Sequence, residues 1–183
     1  MKIRTISVYQ VDLPLVEGRY SWGTGKFVET FDSTIVEIET EDSQIGLGEI
    51  CPLGPFYLPA FSAGARAGIG ELAPHLIGSV ATDIGKVQET MDTALLGHPY
   101  VKCAIDMACW DLLGKETGKP LWALLGGKFG KSVELYRAIS QRSAEEMAAN
   151  VSLYRNQGYR KFQLKVGANP DDDIARIRSA MSV

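Results

Sequence analysis

The sequence is poor in the residues that most directly announce chemistry. Its 183 residues hold three cysteines and two histidines. Cys51, Cys103 and Cys109 are odd in number and show no Cys-x-x-Cys spacing. They read as small core residues of a reducing compartment, not as a disulfide framework or a zinc set. His75 and His98 stand far apart, each beside a proline, and read as structural or solvated side chains. No basic run or basic–aromatic cluster occurs and the net charge is −3, so no nucleic-acid partner is expected. The opening MKIRTISVYQ lacks the apolar core of a secretion signal, and no apolar run is long enough to cross a bilayer. No membrane partner is therefore expected, and the expected address is cytoplasmic. Repeats and low-complexity segments are absent as well.

What is present is a sequence of two grammars. Residues 3–13 alternate weakly and read as an opening strand, followed by a glycine-rich loop over residues 18–25. Residues 33–39 and 45–50 read as a hairpin around the turn Glu41-Asp42-Ser43-Gln44. Two prolines and a glycine make residues 51–57 a stiff loop. From Pro59 the pattern is helical, in blocks at 60–72, 83–96 and 100–117. Sheet first and helices afterwards predicts an α+β domain over residues 1–127. After Gly127 the order becomes strand 133–138, helix 144–156, strand 161–166 and helix 172–181, the start of a parallel α/β arrangement over residues 128–183.

The densest signal lies at residues 104–127, AIDMACWDLLGKETGKPLWALLGG. Ala104, Ile105, Ala108 and Leu112 fall at helical spacing, widened by Cys109 and Leu113, so this helix is expected to be largely buried. Asp111 precedes Lys115 by four residues, the favourable order for a surface ion pair. Gly118 suits the left-handed residue that closes a helix, and Pro120 the first turn of the next.

This segment resembles the signature of the mandelate racemase and muconate-lactonizing branch of the enolase superfamily. The match lies in the small residues around Ile105, in Asp106, Ala108 and Asp111, and in Gly114-Lys115, Pro120-Leu121 and Leu124-Leu125-Gly126. The resemblance implies a capping domain over residues 1–127 and the first two strand–helix units of a modified (β/α) barrel over residues 128–183. A whole barrel takes roughly 250 residues, so no closed barrel is expected here. The resemblance also implies a reaction: removal of the proton next to a carboxylate, with Mg2+ as cofactor holding the enediolate. The family's acidic metal ligands would fall beyond Val183, and no metal ligand is assigned in this chain. Asp171, Asp172 and Asp173 follow Pro170 at a helix start and read as capping residues. Glu49, Glu145 and Glu146 read as surface residues.

In Lys161-Phe-Gln-Leu-Lys-Val-Gly167 polar and apolar residues alternate. Taken alone, this is a strand with one wet face. In a barrel, Phe162 and Leu164 would face the outer helices while Gln163 and Lys165 face the axis, with Lys165 at the C-terminal end where barrel enzymes keep their sites. Many members carry Lys-x-Lys on this strand and use the second lysine as base. Lys165 is accordingly the candidate base. Gln163 replaces the first lysine, removes the neighbouring cation, and is assigned to substrate binding. The Gln-x-Lys strand, with Tyr20 and Trp22 in one loop and Phe56 and Tyr57 in another, is similar to the group that epimerises proline betaines or dehydrates hydroxyprolines. Those four aromatics are expected to line a lid that binds the substrate, since aromatic faces attract a quaternary ammonium. The expected partners are a small carboxylate substrate and either further copies of the chain or the rest of a barrel. The chain by itself is expected to be inactive. The alternative is a non-catalytic capping module, or a truncated product, that acts only by association.

Overall fold

A computed structural model describes residues 1–183. In chain order its elements are β1 (Ile3–Pro14), β2 (Tyr20–Trp22), β3 (Lys26–Val28), β4 (Thr30–Thr40), β5 (Ile45–Ile50), α1 (Ser62–Leu76), α2 (Ile84–Ala94), α3 (Pro99–Thr117), α4 (Leu121–Leu124), β6 (Tyr136–Ile139), α5 (Ala144–Asn156), β7 (Lys161–Leu164) and α6 (Pro170–Met181). They gather into two compact units. One comprises Met1–Leu13 and Phe31–Phe129, the other Pro14–Thr30 and Gly130–Val183.

In the first unit a three-stranded sheet of order β1-β4-β5 precedes the helical layer α1 to α3, so the expected α+β order is found. β4 and β5 pair antiparallel from Thr34 opposite Ile50 to Glu39 opposite Ile45. Val36 and Ile38 of β4 join Ile69, Leu72 and Leu76 of α1 and Ala104, Ile105, Ala108 and Leu112 of α3 in one core. The expected stripe of α3 is the buried one, and Gly118 closes the helix at φ 64°. Asp111 pairs with Lys115 at 2.7 Å and also accepts the Leu47 N–H at 2.9 Å, while the Lys115 ammonium donates to the Ile45 carbonyl at 2.6 Å. The pair thus ties α3 to strand β5. Gly46 and Gly48 complete this joint. A Cβ at Gly48 would lie 1.9 Å from the Ala104 carbonyl oxygen, and one at Gly46 2.3 Å from that of Ala108.

Several expectations need correction here. The glycine-rich segment at 18–25 is not a plain loop. Tyr20–Trp22 and Lys26–Val28 pair antiparallel as a small hairpin, turned by Thr24 at φ 65° and Gly25 at φ 72°. Tyr20, Trp22, Phe27 and Val28 favour strand, but each run of three residues is too short for periodicity to register. Of the three cysteines, Cys109 alone is buried; Cys51 and Cys103 are half-buried. Burial pushes the Cys109 thiol up to about 12, which keeps it protonated and inert. The short helix α4 follows Pro120, as expected.

Arg66 of α1 grips Asp32 of β4 with two hydrogen bonds of 2.7 and 2.9 Å and reaches the Thr34 hydroxyl at 3.0 Å. The guanidinium holds the Asp32 carboxyl below its ordinary value near 3.8. A depressed carboxyl stabilises the fold above its unfolded value and loses that contribution as pH falls through its folded value. Arg66→Met should therefore cost roughly 1 kcal/mol at neutral pH and progressively less as pH falls from 3.8 through the folded value of Asp32, as read by urea titration at neutral and acidic pH. An equal loss at both would show that the arginine acts through packing alone.

In the second unit β6 and β7 pair in parallel, from Tyr136 opposite Lys161 to Ile139 opposite Leu164. Ile139, Met147, Val151, Tyr154 and Ala180 form its core, with Phe162 and Leu164 packed against them. Two strand–helix units are present and no closed barrel. The first strand begins three residues later than expected, because Val133 and Leu135 lie exposed outside it. The second ends at Leu164, two residues early.

Candidate active site

The second unit positions Lys165 by its backbone. Phe162 and Leu164 turn to the helices, so Gln163 takes the opposite, exposed face of β7. Lys165 is the first residue past the strand, and its N–H donates to the Ile139 carbonyl at 3.0 Å, extending the parallel ladder. Its side chain is half-buried, with Nζ 5.8 Å from the centre of the Tyr20 ring. Tyr20 in turn lies 5.8 Å from Trp22, the two rings tilted by 38°.

The hairpin carrying these rings is held at the strand ends. The Ser21 N–H donates to the Ser140 hydroxyl at 2.7 Å, and the Gln141 N–H donates to the Ser21 carbonyl at 2.9 Å. A Cβ at Gly23 would stand 2.9 Å from the Gly167 carbonyl oxygen, so the turn abuts the loop after β7. Nearer its base, the Glu17 carboxylate accepts from Arg137 of β6 and from the Tyr154 hydroxyl of α5. Arg137 also donates to that hydroxyl at 3.0 Å and stacks 4.3 Å from the Tyr154 ring centre. The Tyr154 hydroxyl and its neighbours strengthen the Arg137 charge, while burial, and then Glu17, raise the tyrosine. Two buried nitrogens, Arg137 Nε and Gln141 Nε2, have no partner within the protein.

The loop after β7 is also fixed. Asp173 accepts the Gly167 N–H at 2.8 Å and the Ala168 N–H at 3.0 Å, and pairs with Arg176 at 2.8 Å. Those contacts, the Gly167 bond foremost, hold its carboxyl below the ordinary carboxylate range. The helix cap proper is Asn169, whose side-chain oxygen Oδ1 accepts the Asp171 and Asp172 N–H groups. The aspartate run therefore divides: Asp171 and Asp172 are capped, and Asp173 shapes the loop. Glu146 likewise has more than a surface role, since it closes a capping box with Ser143 at the start of α5.

Structure thus brings Tyr20, Trp22 and Lys165 together in one unit, with Gln163 one strand position before Leu164. Phe56 and Tyr57 belong to the first unit, in an exposed turn closed by the Tyr57 N–H on the Gly54 carbonyl at 3.1 Å. Sequence reasoning missed Glu17, Arg137, Ser140 and Tyr154. They are scattered along the chain, and no spacing links them. His75 and His98 are exposed, as expected. No three His, Cys, Asp or Glu side chains converge in residues 1–183.

An antiparallel sheet followed by helices is the organisation of the N-terminal capping domain of the enolase superfamily. Residues 9–126 match the mandelate racemase / muconate lactonizing enzyme N-terminal domain, and the chain belongs to this family. It is 58% identical over 183 residues to the cis-3-hydroxy-L-proline dehydratase of Roseibium aggregatum, covering 100% of this chain and 50% of that protein. A mandelate racemase/muconate lactonizing enzyme from Roseovarius nubinhibens ISM superposes with a TM-score of 0.92 at 39% identity, covering 99% of this chain and 48% of the other. The dipeptide epimerase of Enterococcus faecalis V583, complexed with Mg and the dipeptide L-Leu-L-Tyr, gives 0.90 at 32% identity, covering 100% and 50%. The chain spans about half the length of the curated relatives it matches. No helix is long and apolar enough to cross a membrane.

Proposed function

We propose that residues 1–127 form the capping layer, and residues 128–183 the first two strand–helix units, of a magnesium-dependent racemase, epimerase or dehydratase. Its substrate is the carboxylate of a proline-like or N-methylated amino acid, and its first step removes the proton alpha to that carboxylate. The observation that carries this reading is Lys165 at the C-terminal end of β7, with its Nζ over the Tyr20 ring. Lys165, as the neutral amine, takes the α-proton and becomes the ammonium. In an epimerase a proton returns on the other face; in a dehydratase the β-hydroxyl leaves as water. The resemblance to a hydroxyproline dehydratase supports the substrate class. Gln163, facing the same side of β7, hydrogen-bonds the substrate. Magnesium would be held by carboxylates that these 183 residues do not bring together, so the chain acts in association with the rest of a barrel. Exposed Leu153, Ile174 and Met181 on α5 and α6 suit that association.

The direct test is α-proton exchange in deuterated water by the magnesium-loaded assembly, with proline-like amino acids as substrates. Absence of exchange with every such substrate would sink the reading. The aromatic lid makes a separate expectation. Trp22→Ala or Tyr57→Ala should weaken a dimethylated or trimethylated amino acid by about 0.5–2 kcal/mol more than its uncharged isostere. Equal losses in binding titrations would leave these rings a packing role.

A further inference from the structure

The segment Pro14–Thr30 connects two strands of the first unit, yet packs as part of the second. Its grip there has a definite chemistry. The base of the segment is closed by the Leu15 N–H on the Glu29 carbonyl at 2.9 Å. Arg19 then braces the hairpin internally, pairing with Glu29 at 2.7 Å and stacking 4.0 Å from the Phe27 ring centre. Glu17 anchors the hairpin to the strand–helix unit through its side chain, accepting from both Arg137 and Tyr154. Arg137 and Tyr154 come from different elements, β6 and α5, and are held to each other by a hydrogen bond and by stacking. They form a preassembled receptor for one carboxylate, only about one-third exposed at both Arg137 and Glu17.

We infer that Glu17, Arg137 and Tyr154 are a latch that locks the Pro14–Thr30 hairpin over the end of β7 and so positions the Tyr20 ring against Lys165. The three are positioning residues. None faces Lys165, and all act through the register of the hairpin. The Ser21 contacts to Ser140 and Gln141 are the second clip, made by backbone on the hairpin side and therefore insensitive to its side chains. The latch has one charged carboxylate on the moving segment and its receptor on the fixed one. Opening then requires Glu17 to return to water while Arg137 and Tyr154 remain paired. This inference takes its importance from the proposed role of Lys165, but its test does not depend on catalysis.

The test is hydrogen–deuterium exchange of the full chain, comparing wild type with Glu17→Gln, Tyr154→Phe and the double variant. Loss of one charge-assisted hydrogen bond should speed exchange of amides in residues 15–29 by about tenfold for Glu17→Gln. Tyr154→Phe should act in the same segment, and the double variant should add little to Glu17→Gln, since both remove one shared interaction. Residues 136–139 and 161–164 should keep their protection. Unchanged exchange in residues 15–29 of Glu17→Gln overturns the latch. Loss of protection throughout Gly130–Val183 also overturns it, because the segment would then be an integral layer and not a lid. Additive effects of the two substitutions overturn the joint receptor. Should Lys165 prove dispensable for α-proton exchange while these exchange patterns hold, the catalytic reading fails and the latch stands.

Discussion

Gly48→Ala should cost the first unit about 3 kcal/mol or more, the upper range for overpacking. The added methyl would sit 1.9 Å from the Ala104 carbonyl oxygen and 3.0 Å from the Ala108 nitrogen, both backbone atoms of α3. No rotamer change can relieve such a contact. The helix must lift from β5, which loosens the Asp111 and Lys115 bonds to the strand and opens the core around Ile105 and Leu112. Gly70 supplies the control. It lies within α1 with nothing inside 4 Å of the added carbon, so Gly70→Ala should stabilise by roughly 0.5–1 kcal/mol. Urea unfolding followed by circular dichroism measures both. A Gly48→Ala loss under about 1 kcal/mol would mean that sheet and helix have slack the packing does not show.

This joint also shows where a sequence speaks plainly. The stripe Ala104, Ile105, Ala108, Leu112 obeys helical period, and burial of one face follows from it. Why two of those residues are alanine is not contained in α3 itself. The reason is Gly46 and Gly48, over fifty residues earlier, which bring strand backbone against helix backbone. Strand β7 was legible by its alternation, and Phe162 and Leu164 do face the helices. Its end was not, since Lys165 and Val166 continue the polar–apolar pattern past the last ladder residue. The hairpin at Tyr20–Trp22 escaped because each strand has three residues, less than two periods of alternation. The Glu17–Arg137–Tyr154 cluster was invisible for a different reason. Charged residues carry no period, and their meeting is decided by where the chain returns, not by local pattern. The cap at Ser143 and Glu146 could have been read directly, because that reciprocal pairing is local.

The largest functional effect is expected at Lys165. A positioned general base supplies about 10²–10⁴ in rate, so Lys165→Ala in the magnesium-loaded assembly should lower α-proton exchange by about a thousandfold, to background. The fold should survive. What Lys165 gives the second unit is its backbone bond to Ile139, which alanine retains, and its side chain lies outside the Ile139–Met147–Tyr154 core. Lys165→Arg sharpens the test. Arginine would keep the positive charge near the Tyr20 ring and would keep any purely electrostatic role, but it does not give up a proton in proteins and cannot serve as a base. Both variants should therefore be equally silent in exchange while substrate binding differs between them. Exchange at the wild-type rate with either enantiomer in Lys165→Ala would place the base elsewhere. Exchange kept by arginine and lost by alanine would make Lys165 an electrostatic anchor for the carboxylate.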